Sequence, residues 1–164
     1  MQQVNLVKAT LNDVSEITAL AKVVWHQHYP DIITLEQINY MLEKMYSAKS
    51  LQQQLTELQH VFYFVNWDGQ NVGFISVNNT TGKDWHLNKF YILQHIAAKG
   101  IGSKAFDLLL AALKPEKMTL TVNRKNYKSI NFYFKNGFKI TEVKDFDIGN
   151  GYLMEDFVMT RSDN

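Results

Sequence analysis

The chain has 164 residues, 46% of them hydrophobic and 20% charged, which suits one globular domain over residues 1–164 with a buried core. The net charge of +1, with scattered basic residues, excludes a broad nucleic-acid-binding surface. The absence of cysteine excludes disulfides, thiolate metal sites and a cysteine nucleophile. The first five residues do not resemble a signal peptide, and no apolar run is long enough to span a bilayer, so we expect a cytoplasmic protein without a membrane partner.

The first third of the chain reads as one strand followed by helices. Alternating apolar residues predict a strand over Val4–Lys8. Thr10 and Thr34 are predicted to cap the first two helices, because each hydroxyl residue precedes apolar residues at helical spacing. Pro30 is expected to end the first of these helices, and a third, short helix is predicted over residues 50–58.

The rest of the chain is predicted to follow the order β-β-β-α-β-α-β-β. Asp68-Gly69 is a hairpin-turn signal between apolar strands, and a polar loop is predicted over residues 78–84. The predicted strands are 61–65, 72–77, 85–93, 118–122, 138–143 and 153–159, and the predicted helices are 103–113 and 129–135. This order indicates a mixed α/β (α+β) domain with an antiparallel first half and one or two parallel neighbours.

A glycine-rich turn, Lys99-Gly100-Ile101-Gly102-Ser103, lies between an apolar run and a helical pattern. Glycines let a ligand approach the backbone closely, and the amides at a helix start attract phosphate groups. One interpretation is a tight turn without a ligand. A second is a dinucleotide fingerprint, which Gly100, Gly102 and Ala105 fit, but the next strand lacks the acidic residue that this fingerprint requires. A third is a pyrophosphate site for coenzyme A.

A second motif favours coenzyme A. Residues 126–138 read N-Y-K-S-I-N-F-Y-F-K-N-G-F and resemble the N-x-x-A-x-x-x-Y-x-k-x-G-F signature of the GNAT (Gcn5-related) N-acetyltransferase superfamily, with Ser129 in place of alanine. The two motifs stand in the family's order and at a typical separation. The strand at 90–93 looks like the family's fourth strand. Ala97 departs from the family pattern, which has Gln or Arg there, so one side-chain contact to the phosphates is missing.

The resemblance implies the GNAT acyl-CoA N-acyltransferase fold, a mostly antiparallel sheet with a splayed parallel pair and flanking helices. It implies transfer of the acetyl group of acetyl-CoA to a primary amine of a small molecule, amino acid or peptide, by direct attack in a ternary complex. A non-catalytic acyl-CoA-binding sensor or scaffold of the same fold is the alternative, and a dinucleotide-dependent oxidoreductase is a third hypothesis. The strands after Gly137 allow a homodimer, as in some relatives.

The resemblance also assigns residues to coenzyme A. The backbone of Tyr91, Ile92 and Leu93 would bind the pantetheine arm, and Asn126 would bind it from the other side. The alternative for Asn126 is a helix cap. The cofactor's pyrophosphate would lie on the turn formed by Lys99, Gly100, Ile101, Gly102 and Ser103. Tyr133 occupies the family's tyrosine position near the sulfur, where a phenol can protonate the leaving thiolate. The alternative for Tyr133 is a core aromatic residue.

The remaining candidates concern the base and the acceptor. The glutamates that many family members carry on the fourth strand are replaced here by His86 and Asn88. His86 is the candidate general base because an imidazole titrates near neutral pH, and a surface histidine is the alternative. His28, Tyr29, Tyr40 and Asn88 are the candidate substrate-binding residues, although packing of the helices would also explain aromatic residues there. The histidines show no convincing ligand spacing, so we expect no metal site.

Overall fold

The structure is a computed structural model that describes residues 3–163, in which six α-helices and seven strands are present. Met1, Gln2 and Asn164, at the ends of the predicted single domain, lie outside the described residues. The strands are β1 (Val4–Lys8), β2 (Val61–Trp67), β3 (Gln70–Thr81), β4 (Asp84–Ile92), β5 (Lys117–Asn123), β6 (Lys139–Gly149) and β7 (Tyr152–Ser162). The helices are α1 (Val14–His28), α2 (Leu35–Tyr46), α3 (Ala48–Thr56), α4 (Gln94–Ala97), α5 (Ile101–Leu113) and α6 (Tyr127–Lys135).

The strands are hydrogen bonded in the order β1-β2-β3-β4-β5-β7-β6. The β1–β2, β2–β3, β5–β7 and β6–β7 ladders are antiparallel, whereas β4 and β5 are parallel. This confirms the predicted mixed α/β fold with a mostly antiparallel sheet. The parallel ladder joins residues 84–87 of β4 to residues 117–120 of β5, and β5 continues beyond it to Asn123.

Residue contacts divide the chain into two units. The first, called here the helical unit, contains residues 3–78 and 89–114, and the second, called the C-terminal unit, contains residues 79–88 and 115–163. The helical unit carries α1 to α5 with β1, β2 and the adjoining parts of β3 and β4. The C-terminal unit carries α6 with β5, β6, β7 and the first part of β4.

The core of the helical unit follows from the spacing of apolar residues. Ile17, Ala21 and Val24 repeat at helical intervals on α1 and are completely buried. Farther along α1, Trp25 packs its ring against Tyr46, and the indole Nε1 donates a 3.2 Å hydrogen bond to the Tyr46 hydroxyl. Because that hydrogen bond gives the indole N–H an acceptor, the Trp25 ring can be buried without the cost of an unpaired N–H donor.

In the C-terminal unit, α6 covers one face of β5 and β7. Cross-strand partners share a face, so Met118 of β5 and Arg161 of β7 point to the same side. The Nε of Arg161 donates a 3.1 Å hydrogen bond to the carbonyl of Asn136, the residue that ends α6. The helix therefore lies on the face that carries Met118 and Arg161, where Met118 is completely buried.

Several local predictions are confirmed. The Thr10 side chain forms a capping box with Asp13, although the first turn there is a 3-10 turn (Leu11–Asp13) before α1 begins. The Thr34 side chain caps α2, and α1 ends at His28, before Pro30. Asp68 and Gly69 both have positive φ angles, 51° and 84°, as a two-residue hairpin turn requires.

Two local predictions are wrong. The segment predicted as a polar loop over residues 78–84 is mostly strand, because β3 extends to Thr81. The side chains of Asn79 and Thr80 bond to the carbonyl of Asp84 across the turn, which holds these polar residues in the hairpin. The glycine turn also does not follow directly on the strand, since the short helix α4 lies between β4 and Gly100.

Candidate active site

The predicted phosphate-binding turn opens helix α5. Gly100 is the N-cap residue, with a φ of 76°, and no side chain caps the helix. The first amides of a helix have no partner within it, so those of Ile101, Gly102 and Ser103 are suited to an anion. A Cβ on Gly100 would meet no atom within 4 Å. The fit to a pyrophosphate therefore rests on an uncapped helix start that glycine makes accessible.

The side chain of Lys99, a residue predicted to bind the pyrophosphate, contacts an aromatic ring. Its ammonium lies 5.5 Å from the centroid of the Trp67 ring, a cation–π contact within the helical unit. Its own amide donates to the carbonyl of Ile96 in the turn that follows α4. The lysine side chain is long enough to leave the ring, but the structure places its charge on the indole.

The end of β4 is held by three consecutive residues from the end of α1, which we call the α1 clamp: Gln27, His28 and Tyr29. The Gln27 side-chain oxygen accepts a 2.8 Å hydrogen bond from the amide of Gln94. His28 Nε2 donates to the carbonyl of Ile92 at 3.0 Å, since a carbonyl can only accept. The hydroxyls of Tyr29 and Tyr91 lie 2.9 Å apart.

The clamp gives two of the predicted acceptor-binding residues partners within the helical unit. His28 and Tyr29 were expected to contact an acceptor, and the structure brings them instead onto Tyr91 and Ile92. The amide of Leu93 donates to the carbonyl of Val72, so this predicted contact of the pantetheine arm is already used in the sheet. The other two candidates lie elsewhere: Tyr40 on α2 and Asn88 on the part of β4 that belongs to the C-terminal unit.

Gly73 on β3 is a residue that the sequence analysis missed. A Cβ at this position would lie far inside van der Waals contact of the Tyr91 carbonyl oxygen and 3.0 Å from the Cα of Ile92. Both atoms belong to the backbone of β4, so they cannot turn aside as a flexible side chain would. The one signal in the sequence is a glycine in the middle of an apolar strand, which often marks a close backbone approach.

Lys89 is a second missed residue, and it is buried in the helical unit. Its ammonium donates a 2.6 Å hydrogen bond to the side-chain oxygen of Gln54. The same ammonium lies 5.5 Å from the Tyr46 ring centroid and 5.3 Å from that of Phe62. Burial lowers the pKa of Lys89 to about 8. The strand is thus pinned to α2, α3 and β2 by a cation within an aromatic environment.

This buried cation gives a pH-dependent stability. The pKa of Lys89 in the folded protein lies below its ordinary value of 10.5, so the unfolded chain binds more protons between about pH 8 and 10.5. We expect the free energy of unfolding of the wild type, relative to Lys89→Met, to rise by on the order of 3 kcal/mol across this range. Urea unfolding at a series of pH values measures it. The exposed Lys49→Met on α3 is the control, and a flat difference would contradict the assignment.

Tyr133, the predicted acid, is buried in the C-terminal unit. Its ring packs against Phe132 and Phe138 with centroids 5.5 Å and 5.4 Å apart. Its helix α6 is capped by Asn126, whose side-chain oxygen accepts a 3.3 Å hydrogen bond from the amide of Ser129. The cap interpretation of Asn126 is therefore confirmed, and its contact with a ligand stays a prediction.

His86, the predicted base, lies on the other face of the sheet. It is the partner of Thr119 in the β4–β5 ladder, whereas the neighbouring Leu87 is paired with Leu120 on the face that α6 covers. Burial lowers the pKa of the His86 imidazole, so a larger share of it is neutral at a given pH. Neutral imidazole is the form that can accept a proton.

Asp156 on β7 is an acidic residue of the C-terminal unit that the sequence analysis did not select. Only 5% of its surface is exposed, and its Oδ1 is buried without a hydrogen-bond partner among the described residues. Burial raises the pKa of Asp156 to about 6, while the nearby Arg124 charge and a hydrogen bond from Thr121 oppose that rise. The adjacent Glu155 is also acidic, so the sequence of β7 alone does not single out Asp156.

Among residues 3–163, no cluster of His, Cys, Asp or Glu side chains is arranged to hold a metal ion. No helix in this part of the chain has the length and apolarity needed to cross a membrane.

Comparison with known proteins gives the family. Residues 31–156 match the model of the acetyltransferase (GNAT) domain. A spermidine N(1)-acetyltransferase of Thermoplasma acidophilum is 29% identical, with 90% of this chain and 93% of that protein aligned. An uncharacterized N-acetyltransferase of Mycobacterium tuberculosis is 26% identical, with 92% of this chain and 98% of that protein aligned.

Solved structures show the same fold. The PaiA N-acetyltransferase of Thermoplasma acidophilum, crystallised in complex with coenzyme A, superimposes with a TM-score of 0.79 at 24% identity over 98% of this chain and 99% of that one. A GCN5-related N-acetyltransferase from Rhodopseudomonas palustris gives a TM-score of 0.76 at 19% identity over 96% and 94% of the two chains. From the domain match and the shared fold, the chain belongs to the GNAT acetyltransferase family.

Proposed function

We propose that this protein transfers the acetyl group of acetyl-CoA to a primary amine of a small molecule, amino acid or peptide. The observation that carries the proposal is the uncapped start of α5, where Gly100 adopts a left-handed conformation and the helix amides are suited to a pyrophosphate. Membership of the GNAT family and the coenzyme A complex of the structurally similar PaiA protein support the same cofactor.

Each unit contributes its own candidate residues to coenzyme A. In the helical unit these are the backbone of Tyr91 and Ile92 at the end of β4 and the turn before α5, formed by Lys99, Gly100, Ile101, Gly102 and Ser103. In the C-terminal unit they are Asn126 and Tyr133. When bound, acetyl-CoA supplies an activated acyl group as a thioester. The role of Tyr133 is to donate the phenolic proton to the sulfur as the C–S bond breaks.

The acceptor is an amine of low charge, because none of the candidate substrate-binding residues is acidic. The positions that carry glutamates in many relatives hold His86 and Asn88, so a highly charged polyamine is disfavoured. One aligned relative is named a spermidine acetyltransferase, and spermidine therefore belongs in any panel of test amines. His86, whose pKa is lowered by burial, is the proposed base.

Binding of the cofactor is tested with Gly102→Val. We expect this variant to fold but to give no detectable heat when coenzyme A is titrated in, because the new side chain would stand among the first amides of α5. Circular dichroism checks that it folds. Ala111→Val, at an exposed position near the other end of α5, controls for a β-branched residue in the same helix. Unchanged affinity in Gly102→Val would place the phosphates elsewhere.

Catalysis is tested by following thiol release with acetyl-CoA and a panel of amines. Turnover on at least one amine is the expected result. Tight binding of coenzyme A without turnover on any amine, together with no effect of Tyr133→Phe, would instead favour the non-catalytic acyl-CoA-binding module.

A further inference from the structure

Strand β6 is the last strand of the sheet in the C-terminal unit, and its outer edge is open. It pairs with β7 on one side, and no described strand pairs with the other side. The strand is 11 residues long, and residues 139–145 are all exposed. An open edge presents backbone N–H and C=O groups that can bind a further strand. This edge is therefore a candidate interaction surface.

Two large apolar residues of β6 are exposed on the same face of the sheet. Val143 is 63% exposed and Ile140 is 39% exposed. Their cross-strand partners on β7 are Phe157 and Met159, which share a face because they are two residues apart. Burying these two side chains would be favourable, so a strand added at this edge would be stabilised by covering them.

Charged residues of opposite sign flank Val143. Glu142 and Lys144 are exposed and lie on the other face of the sheet, and neither forms an ion pair among the described residues. The ammonium of Lys144 lies 5.3 Å from the centroid of the Phe146 ring. Charges on an edge strand ordinarily oppose pairing with another chain. A strand that placed opposite charges against these two residues would remove that obstacle.

A second copy of β6 has the required charges. When a strand pairs antiparallel with its own copy, directly opposite residues share a face, so the two-fold axis must pass between one residue and its own copy. With Val143 at the axis, Glu142 of each chain lies opposite Lys144 of the other, which gives two ion pairs related by symmetry. The Val143 side chain then packs against its own copy.

The other centres in this part of β6 bring like charges together. Regular alternation covers residues 142–147, between two register shifts in the ladder with β7. Identical charges would face each other at the axis if it lay at any of the four charged residues of this segment, Glu142, Lys144, Asp145 and Asp147. With Phe146 at the axis, Asp145 would lie opposite Asp147. Because like charges directly opposite each other destabilise a sheet, only the register centred on Val143 is favoured within residues 142–147.

We propose that two copies of this protein associate through the open edge of β6, in an antiparallel pairing centred on Val143. The main-chain hydrogen bonds and the covered side chains of Val143 and Ile140 provide the affinity. The Glu142–Lys144 pairs select the register, because exposed ion pairs add little affinity whereas like charges in contact are costly. The association needs no ligand and does not depend on the proposed acetyltransferase function.

Disulfide trapping tests the register, since the chain has no cysteine of its own. The Cα atoms of directly opposite residues lie about 4.5–5.5 Å apart, a distance that a disulfide can span. We expect Val143→Cys to form a covalent dimer on mild oxidation, seen on a non-reducing gel and reversed by a reductant.

Asp145→Cys is the matched control, because it is exposed on the same strand and the same face. In the proposed register its two copies lie about 13 Å apart along the strand, too far for a disulfide. It should therefore stay unlinked. Absence of the covalent dimer in Val143→Cys, or equal cross-linking of both variants, would overturn the inference.

Analytical ultracentrifugation over a range of protein concentrations tests the charge pairs. We expect the wild type to show a monomer–dimer equilibrium. Glu142→Lys should weaken the dimer on the order of 10-fold, because two attractive pairs become repulsive. Adding Lys144→Glu to the same chain restores opposite charges across the axis, so the double variant should dimerise with nearly the wild-type affinity.

Glu155→Lys makes the same change of charge at an exposed position on β7, away from the open edge, and should dimerise as the wild type does. A wild type that stays monomeric at every concentration would overturn the inference and show that the edge charges serve to prevent pairing. A dimer of unchanged affinity in Glu142→Lys would overturn it as well, because the two copies would then meet through another surface.

Discussion

Gly73→Ala is expected to destabilise the protein by about 3 kcal/mol and to weaken the binding of acetyl-CoA. The added Cβ would overlap the Tyr91 carbonyl oxygen and press on the Cα of Ile92 at 3.0 Å. Both are main-chain atoms, so the clash is relieved only if β3 and β4 move apart. Because the backbone of Tyr91 and Ile92 is proposed to bind the pantetheine arm, such a displacement would act on the proposed site as well as on the core.

Urea unfolding and calorimetric titration of coenzyme A measure the two effects. Gly69→Ala is the matched control, because a Cβ there meets no atom within 4 Å and costs only the strain of a positive φ, about 1 kcal/mol. If Gly73→Ala were as stable as the control and bound the cofactor with wild-type affinity, the close approach of β3 and β4 would matter neither for stability nor for cofactor binding.

Tyr133→Phe is expected to lower kcat on the order of 100-fold without changing the affinity for coenzyme A. The substitution removes only the hydroxyl, and the phenyl ring still fills the space against Phe132 and Phe138. A proton donor acts when the sulfur leaves, so its loss affects the rate of the chemical step and not the binding of the thioester.

Steady-state kinetics with the best amine of the panel, together with calorimetry, separate these quantities. Tyr127→Phe removes a hydroxyl from the same helix at a position that is 69% exposed, and it should behave as the wild type. An unchanged kcat in Tyr133→Phe would remove the phenol from the mechanism and leave it as a core residue.

The parts of the fold that were predictable from sequence are those set by neighbouring residues. The Thr34 hydroxyl caps α2 by accepting a hydrogen bond from an amide only three residues away. Asp68 and Gly69 form the hairpin turn because both adopt positive φ angles. The loop predicted at residues 78–84 was wrong for the opposite reason. The Asn79 side chain donates to the carbonyls of Gly82 and Asp84 across a hairpin, and composition alone does not separate that case from a loop.

The sequence marks candidate site residues only where they belong to a motif, and their roles stay predictions. The turn at Gly100 and the position of Tyr133 on α6 followed from the two family motifs. Lys89 and Asp156 could not be found in this way, since their significance comes from partners far along the chain, Gln54 and Thr121. Tertiary burial, which no local pattern encodes, turns these two ordinary surface residue types into buried titratable groups.

The α1 clamp links the end of helix α1 to the end of strand β4 by hydrogen bonds. Since three adjacent side chains bond to Tyr91, Ile92 and Gln94, a molecule that displaces the last turn of α1 either moves the strand terminus or breaks these hydrogen bonds. Binding at the two places is then reciprocal. If such a molecule changes the affinity for a ligand at that strand terminus by some factor, the ligand changes the affinity for the molecule by the same factor.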